Sequence, residues 1–214
     1  MIVYDKLEQK SLDWFEQKWG KIGGTSSKGL HVKGDTLFLD LLSQHIEEFE
    51  PSEGFENEHT KRGNDLEPFA IEYLEKYTGE KFKSVGWLQS EENELLGISP
   101  DGITEGLRIA CETKCFARKK HTEILYNEEI PLDNVHQLAH YFTVNPKLEI
   151  LYFCAFRPES VKNYVQRITL ETEFNIGTKS RPRVLTVEAI RNQSIEKANE
   201  MLERINKSKE SLNF

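Results

Sequence analysis

No stretch of this 214-residue chain approaches the roughly 20 consecutive apolar residues needed to span a bilayer, so no membrane-spanning protein is expected. The opening Met1-Ile-Val-Tyr-Asp-Lys6 lacks the basic-then-apolar pattern of a secretory signal, and export is not expected. Cysteine is scarce. Cys111, Cys115 and Cys154 form no Cys-x-x-Cys pair, and an odd number argues against a disulfide framework. Three are also too few for the usual four-cysteine iron–sulfur cluster, and a reducing cytoplasm is the expected setting. Internal repeats and low-complexity tracts are absent too.

Missing as well is any surplus of positive charge. With 36 Asp and Glu against 28 Lys and Arg the formal net charge is −8, whereas a basic footprint is the usual sign of phosphate binding. The deficit is uneven, however. The segment from Glu47 to Glu58 is heavily acidic, while Arg118-Lys119-Lys120-His121 is basic. Local charge outweighs the total where a groove focuses the field. Apolar residues make up 37% of the chain, with 12 Phe, 7 Tyr and 3 Trp, enough for a globular core and a single domain over residues 1–214.

The most informative stretch is Gly97 to Cys115. It reads as a strand ending near Ser99, a reversal at Ser-Pro-Asp-Gly, and a second strand from about Leu107 to Lys114. Glu112 and Lys114, two residues apart on that strand, leave the same face roughly 7 Å apart. Asp101 at the turn can swing in beside them if the two strands pair. Asp-Gly in a turn and Glu-x-Lys on a strand are each common as solvated surface features. Together they would gather two carboxylates and an ammonium at one sheet end, which is what Mg²⁺-dependent phosphodiester hydrolysis requires.

Around this stretch the periodicity predicts helices over about residues 5–20 and 35–49, and a third carrying Leu66, Ala70, Tyr73, Leu74 and Tyr77 up to Gly79. Glu67 falls in the expected first turn of that third helix, where an acid ordinarily just complements the helix dipole. Between the first two helices, Lys21-Ile-Gly-Gly-Thr-Ser-Ser-Lys28 is either a flexible connector or an anion nest of N–H groups and hydroxyls. Phe82–Leu88 and Leu95–Ser99 are expected to form a meander with Leu107–Lys114, followed by a less regular stretch to Ile130. A helix from Pro131 places Gln137 and Tyr141 on one face, with His136 and His140 read as ordinary helix histidines. Glu149–Phe156 reads as a central strand covered on both faces and Val161–Leu170 as its neighbour. A basic loop over Thr178–Arg183 is a candidate DNA-backbone contact, and a last helix runs from Ser194.

Pro100-Asp101, with Glu112-x-Lys114 eleven positions on, matches the signature of the PD-(D/E)xK nuclease superfamily. Ser-Pro-Asp-Gly followed by Glu-Thr-Lys-Cys resembles its lambda-exonuclease branch, the YqaJ-type viral recombinases. Arg62-Gly-x-x-x-Glu67-x-x-Ala70 is similar to that family's acidic motif, and Gln137-xxx-Tyr141 to an element of RecB-like nucleases. Lambda exonuclease has Gln-x-Gln here, and this chain has Ala139 at the second position.

The resemblance, covering about residues 11–170, implies an α/β restriction-endonuclease-like fold with a mixed sheet flanked by helices. It implies a Mg²⁺ site, with Mn²⁺ as a possible substitute, formed by Asp101, Glu112, Glu67 and the Thr113 carbonyl. Lys114 and Gln137 join Asp101 and Glu112 in catalysis. Thr25 or Ser26, with Lys28, would hold a DNA 5′-phosphate, and Arg118, Lys119 and Lys120 the backbone. The activity implied is 5′→3′ degradation of linear duplex DNA to give single strands for recombination. An endonuclease on the same core, or a non-catalytic DNA-binding protein, are the alternatives. A ring-like trimer and a single-strand annealing protein are the partners that the resemblance implies besides duplex DNA.

Overall fold

The structure, a computed structural model, describes residues 1–51, 58–177 and 180–212. At its centre lies a mixed four-stranded sheet in the order β4 (Gly102–Ile103), β5 (Ile109–Lys114), β6 (Ile150–Ala155) and β7 (Tyr164–Ile168). β5 and β6 run parallel with Glu112 opposite Phe153, while β4 and β7 pair antiparallel on either side. The parallel pair requires a crossover. It is supplied by α4 (Arg118–Asn127) and α5 (Leu132–Val144).

Alternation along these strands divides two cores. Ala110, Leu151, Phe153 and Ala155 face the main core, together with Leu138 and Phe142 of α5. Cys111 and Cys154 face the other way, into a smaller cluster with Ala70 and Leu74 of α3 (Glu58–Thr78). All three cysteines are free. The long apolar run in β6 thus reflects burial on both faces, as expected. A second sheet of β1 (Ile2–Tyr4), β2 (Trp87–Gln89) and β3 (Gly97–Ile98) stands beside the first. Around them lie α1 (Leu12–Lys18), a 3-10 turn (Ser27–His31), α2 (Thr36–Ile46), a hairpin of β8 (Glu173–Asn175) and β9 (Val184–Thr186), and α6 (Val187–Leu212). Among the described residues no helix is long and apolar enough to cross a membrane.

Several sequence expectations are corrected. Ser-Pro-Asp-Gly does not reverse a hairpin: the strand before it pairs with β2, and the one after it pairs with β5, so the segment carries the chain from one sheet to the other. The reversal falls at Thr104–Leu107, closed by Leu107 N–H donating to the Thr104 carbonyl at 2.9 Å, with Leu107 at φ 61°. Gly102 is needed for pairing rather than turning, since a Cβ there would meet Phe82 Cβ at 2.8 Å and Cys111 Sγ at 2.9 Å. Glu67 is not in a first turn, because α3 begins at Glu58 and carries Pro68 in its interior. The basic stretch starts a regular helix, α4, whose two buried residues His121 and Ile124 give too thin a periodic signal to be read. α1 is shorter than expected and is preceded by β1, α6 starts seven residues earlier, and the β8–β9 hairpin was not anticipated. The acidic segment Glu47–Glu58, expected as a surface loop, and the basic loop Thr178–Arg183 lie partly outside the described residues.

Phe153 is fully buried at the middle of the central strand. Phe153→Ala is expected to lower unfolding free energy by roughly 3–5 kcal/mol, read from urea denaturation.

Candidate active site

Glu112 is the least exposed acid of the site, at 1%. Its Oε1 accepts from Gln137 Nε2 at 2.7 Å and lies 2.5 Å from Lys114 Nζ. Its Oε2 accepts from the Tyr141 hydroxyl at 2.5 Å. A carboxylate without partners could not be held there, and these three donors offset its desolvation. Gln137 and Tyr141 reach it from one face of α5 because they are four residues apart. Tyr141 belongs to the recognised Gln-xxx-Tyr pattern, yet sequence reasoning gave it no place in the site. Burial and the adjacent Glu112 charge hold its hydroxyl well above the ordinary pKa, so it stays a donor. Burial works against the Lys114 ammonium, but the Glu112 and Asp101 carboxylates outweigh it, and its pKa rises.

Asp101 arrives from the segment linking the two sheets. Its Oδ2 accepts from the Thr113 N–H at 2.6 Å and from the Thr113 hydroxyl at 2.9 Å. Asp101, Glu112 and Lys114 therefore converge as expected, although by a different chain path. Burial pushes the Asp101 carboxyl up to about 8, and the Glu112 charge adds to that effect, which Lys114 partly opposes. Glu67 on α3 is raised by burial; Lys10, 3.9 Å away, pulls it back, and Glu112 pushes it up again. The three acids thus sense one another. Among the described residues, however, no three acid, His or Cys groups close into a ready-made metal cage. That donor set fits Mg²⁺, which keeps several waters and takes one or two carboxylates plus substrate phosphate.

A cleft of about 380 Å³ runs from Asp101, Glu67 and Gln137 to the Gly23–Ser26 loop. Gly24 permits this closeness, since a Cβ would sit 2.7 Å from Ile98 Cδ1 and 3.1 Å from Gln137 Cγ. Ser26 Oγ turns back on its own loop, accepting from the Gly23 N–H at 3.0 Å. The neighbouring Thr25 is exposed at the cleft. Lys28 does not line it: its ammonium is 3.9 Å from Asp133. Lys21, the first residue of the expected anion loop, does line it, as does Lys18, which sequence reasoning did not single out. Lys18 lies 3.5 Å from the centre of the Trp14 ring, and burial lowers its pKa to about 8.

His140 is more than an ordinary helix histidine. Fully buried, its Nε2–H reaches the carbonyls of Ile22 at 3.1 Å and Gly97 at 2.9 Å, tying the start of the loop to β3. A histidine amid the apolar residues of α5 was the available signal. Arg118, Lys119 and Lys120 sit in the first turn of α4 and do not line the cleft. Lys120 pairs with Glu123 at 3.2 Å.

This site and sheet place the chain among the PD-(D/E)xK nucleases. The family is narrower. The YqaJ-like viral recombinase domain matches residues 13–147, and the chain belongs to that family. Its fold is shared with an alkaline exonuclease (LHK-Exo) from Laribacter hongkongensis, in two structures of which one is a complex with dAMP. Each of those structures superposes with a TM-score of 0.70 at 19% identity, over 95% of this chain and 98% of that one. A phage related exonuclease from Haemophilus somnus 129PT gives a TM-score of 0.43 at 13% identity, over 96% and 92% of the two chains. No curated protein sequence matches.

Burial lowers the His140 pKa to about 4 from 6.5, so between these values the unfolded chain binds the proton that the folded chain refuses. Stability is therefore expected to fall as pH drops from about 6.5 to 4, by ~3 kcal/mol in total from this residue. Urea unfolding of metal-free protein should show a shallower pH slope for His140→Gln across that window, other groups cancelling in the comparison.

Proposed function

We propose that the protein is a Mg²⁺-dependent exonuclease that degrades linear duplex DNA 5′→3′, with Mn²⁺ able to substitute, and leaves single strands for recombination. The observation that carries this reading is the cleft that joins Asp101, Glu67 and Gln137, the last bonded to Glu112, to the Gly23–Ser26 loop. A nuclease that starts from a phosphorylated end needs both in one channel.

Asp101 and Glu112 would hold the metal, with Glu67 beside them. The Thr113 carbonyl also suits this role. A strand residue projects its N–H and C=O toward the same edge, and the Thr113 N–H already points to Asp101 rather than into the β6 ladder. A Mg²⁺ held there would supply activation of the attacking water and neutralisation of charge developing on the phosphate. Gln137 and Tyr141 fix the Glu112 carboxylate, so that its oxygens need not reorganise during the reaction. Lys114, a third exposed at its side chain, can turn its ammonium from Glu112 toward the scissile phosphate. Thr25, with Lys18 across the cleft, suits the terminal 5′-phosphate better than Ser26 or Lys28, whose polar groups are already engaged. A lysine desolvated without an acid partner is stabilised by an arriving phosphate. Arg118, Lys119 and Lys120 add charge to the positive end of the α4 dipole, a disposition that suits DNA backbone. A ring-like trimer and an annealing partner belong to this proposal through the lambda-type resemblance, and light scattering checks the first.

The test is digestion, with Mg²⁺, of a 5′-phosphorylated linear duplex beside a 5′-hydroxyl duplex and a covalently closed circle. Loss of the linear DNA, fastest with the phosphate and sparing the circle, is expected. Cutting of the circle would instead establish the endonuclease reading. Asp101→Ala and Lys114→Ala should each reduce the rate on the order of 10³-fold; wild-type rates for either would overturn the assignment. Thr25→Val should erase the preference for the phosphorylated end while leaving slow digestion of the hydroxyl duplex.

A further inference from the structure

Lys10 lines the cleft yet belongs to none of the motifs that define the site. It is the third residue of a turn over Glu8–Ser11, closed by the Ser11 N–H and hydroxyl donating to the Glu8 carbonyl at 3.2 and 2.7 Å. Its φ is 70°, at a turn position where glycine is normally preferred. Folding alone would favour glycine there, so a long charged side chain in that conformation points to a use beyond the fold. The turn is firmly held. Gln9 Nε2 donates to the carbonyls of Val85 at 2.8 Å and Pro100 at 3.0 Å. Trp14 Nε1 on α1 donates to the Gly86 carbonyl at 2.9 Å and the Ser99 hydroxyl at 2.8 Å. Lys10 is thereby fixed to the segment that delivers Asp101.

The ammonium has one carboxylate near it, and that contact is loose. Lys10 Nζ lies 3.9 Å from Glu67 Oε2, beyond a hydrogen bond, and its side chain is 51% exposed. An ammonium carries three donors on a flexible stem, and here they can turn into the cleft. The 3.9 Å contact places Lys10 at the acid end. Lys18 lies instead against Trp14, and Lys21 opens the Gly23–Ser26 loop. A DNA strand crossing Asp101, Glu112 and Glu67 meets three carboxylates, which repel its phosphates. A cation at their edge offsets that repulsion.

We infer that Lys10 is a substrate-positioning residue that holds a backbone phosphate next to the scissile one. The inference rests on the nuclease function proposed above and adds a contact distinct from the pocket for the terminal 5′-phosphate. The strained turn sets where the ammonium reaches, and the residue takes no part in bond breaking.

The test is a fluorescence-anisotropy titration of the full chain with 3′-labelled duplexes in EDTA, at several salt concentrations. One duplex carries a 5′-phosphate and the other a 5′-hydroxyl. Wild type is compared with Lys10→Gly, which suits the backbone and removes the charge, and with Lys10→Arg, which keeps the charge. Urea unfolding checks the fold of both. Lys10→Gly is expected to weaken binding of both duplexes about fivefold, by the same factor, and to flatten the slope of log K against log salt by about 1. Lys10→Arg should restore affinity and slope. Wild-type binding by Lys10→Gly would overturn the inference and leave the nuclease reading standing. So would binding by Lys10→Arg as weak as that of Lys10→Gly, since charge would then not be what the position supplies. Weakening confined to the 5′-phosphorylated duplex would overturn it in favour of a terminal-phosphate contact. Failure of the wild type itself to bind either duplex would overturn the nuclease reading and this inference with it.

Discussion

The interaction on which the site depends is the anchoring of one buried carboxylate. Glu112 lies on the second strand of a four-stranded sheet, under a helix, with 1% of its surface exposed. An isolated charge there would take up a proton or unfold the neighbourhood. It is tolerated because Gln137, Tyr141 and Lys114 all point at it. This requirement fixes more than one side chain. It sets the rotation of α5 over β5, since Gln137 and Tyr141 share the helix face that must lie over Glu112. That rotation in turn presents His140 to the carbonyls of Ile22 and Gly97. The start of the Gly23–Ser26 loop, the helix and both sheets are thus tied together through polar contacts made by α5.

Asp101 shows the other half of the design. Its carboxyl is bound to Thr113 on the same strand as Glu112, which forces two acids into one low-dielectric region. Burial and mutual repulsion push its proton affinity up to about 8. Structural ion pairs normally relax such repulsion by interposing a fixed cation; here Lys114 does so only in part. A cation such as the proposed Mg²⁺ would relieve the repulsion that remains.

Most of the residues that converge were legible in the sequence, and most of the path between them was not. Glu-x-Lys on a strand says which face both side chains leave by, so Glu112 and Lys114 could be placed from period alone. Asp101 could be named from the motif, yet its route was misread. Pro100 and Gly102 carry strong turn preferences, and propensity cannot distinguish a reversal within one sheet from a crossing between two. That distinction is made by long-range packing, here the fit of Gly102 against Phe82 and Cys111. Glu67 could be matched but not positioned: it was expected in a first turn, whereas α3 starts at Glu58 and runs through Pro68. Tyr141 and His140 were visible in a helix and ordinary in appearance. Their importance comes from what lies across the interface, which no local pattern encodes.

The acidic balance of the chain, at first sight an objection to a DNA substrate, is resolved by where cations are left unpaired. On the outer surface, several lysines and arginines are matched with acids: Lys76 with Glu72, Arg62 with Glu159, Arg204 with Asp35. Exposed pairs of this kind contribute little to stability, but they remove charge from the far field. In the cleft, Lys18 has a tryptophan face and partial burial in place of a carboxylate. The first turn of α4 gathers three bases where the helix dipole already disfavours them, and Glu123 offsets one of them, Lys120. Both arrangements work against the free protein and become favourable only when a polyanion arrives. Net charge therefore misleads as a guide to the partner. The informative quantity is the charge left uncompensated at the places where a phosphate can reach.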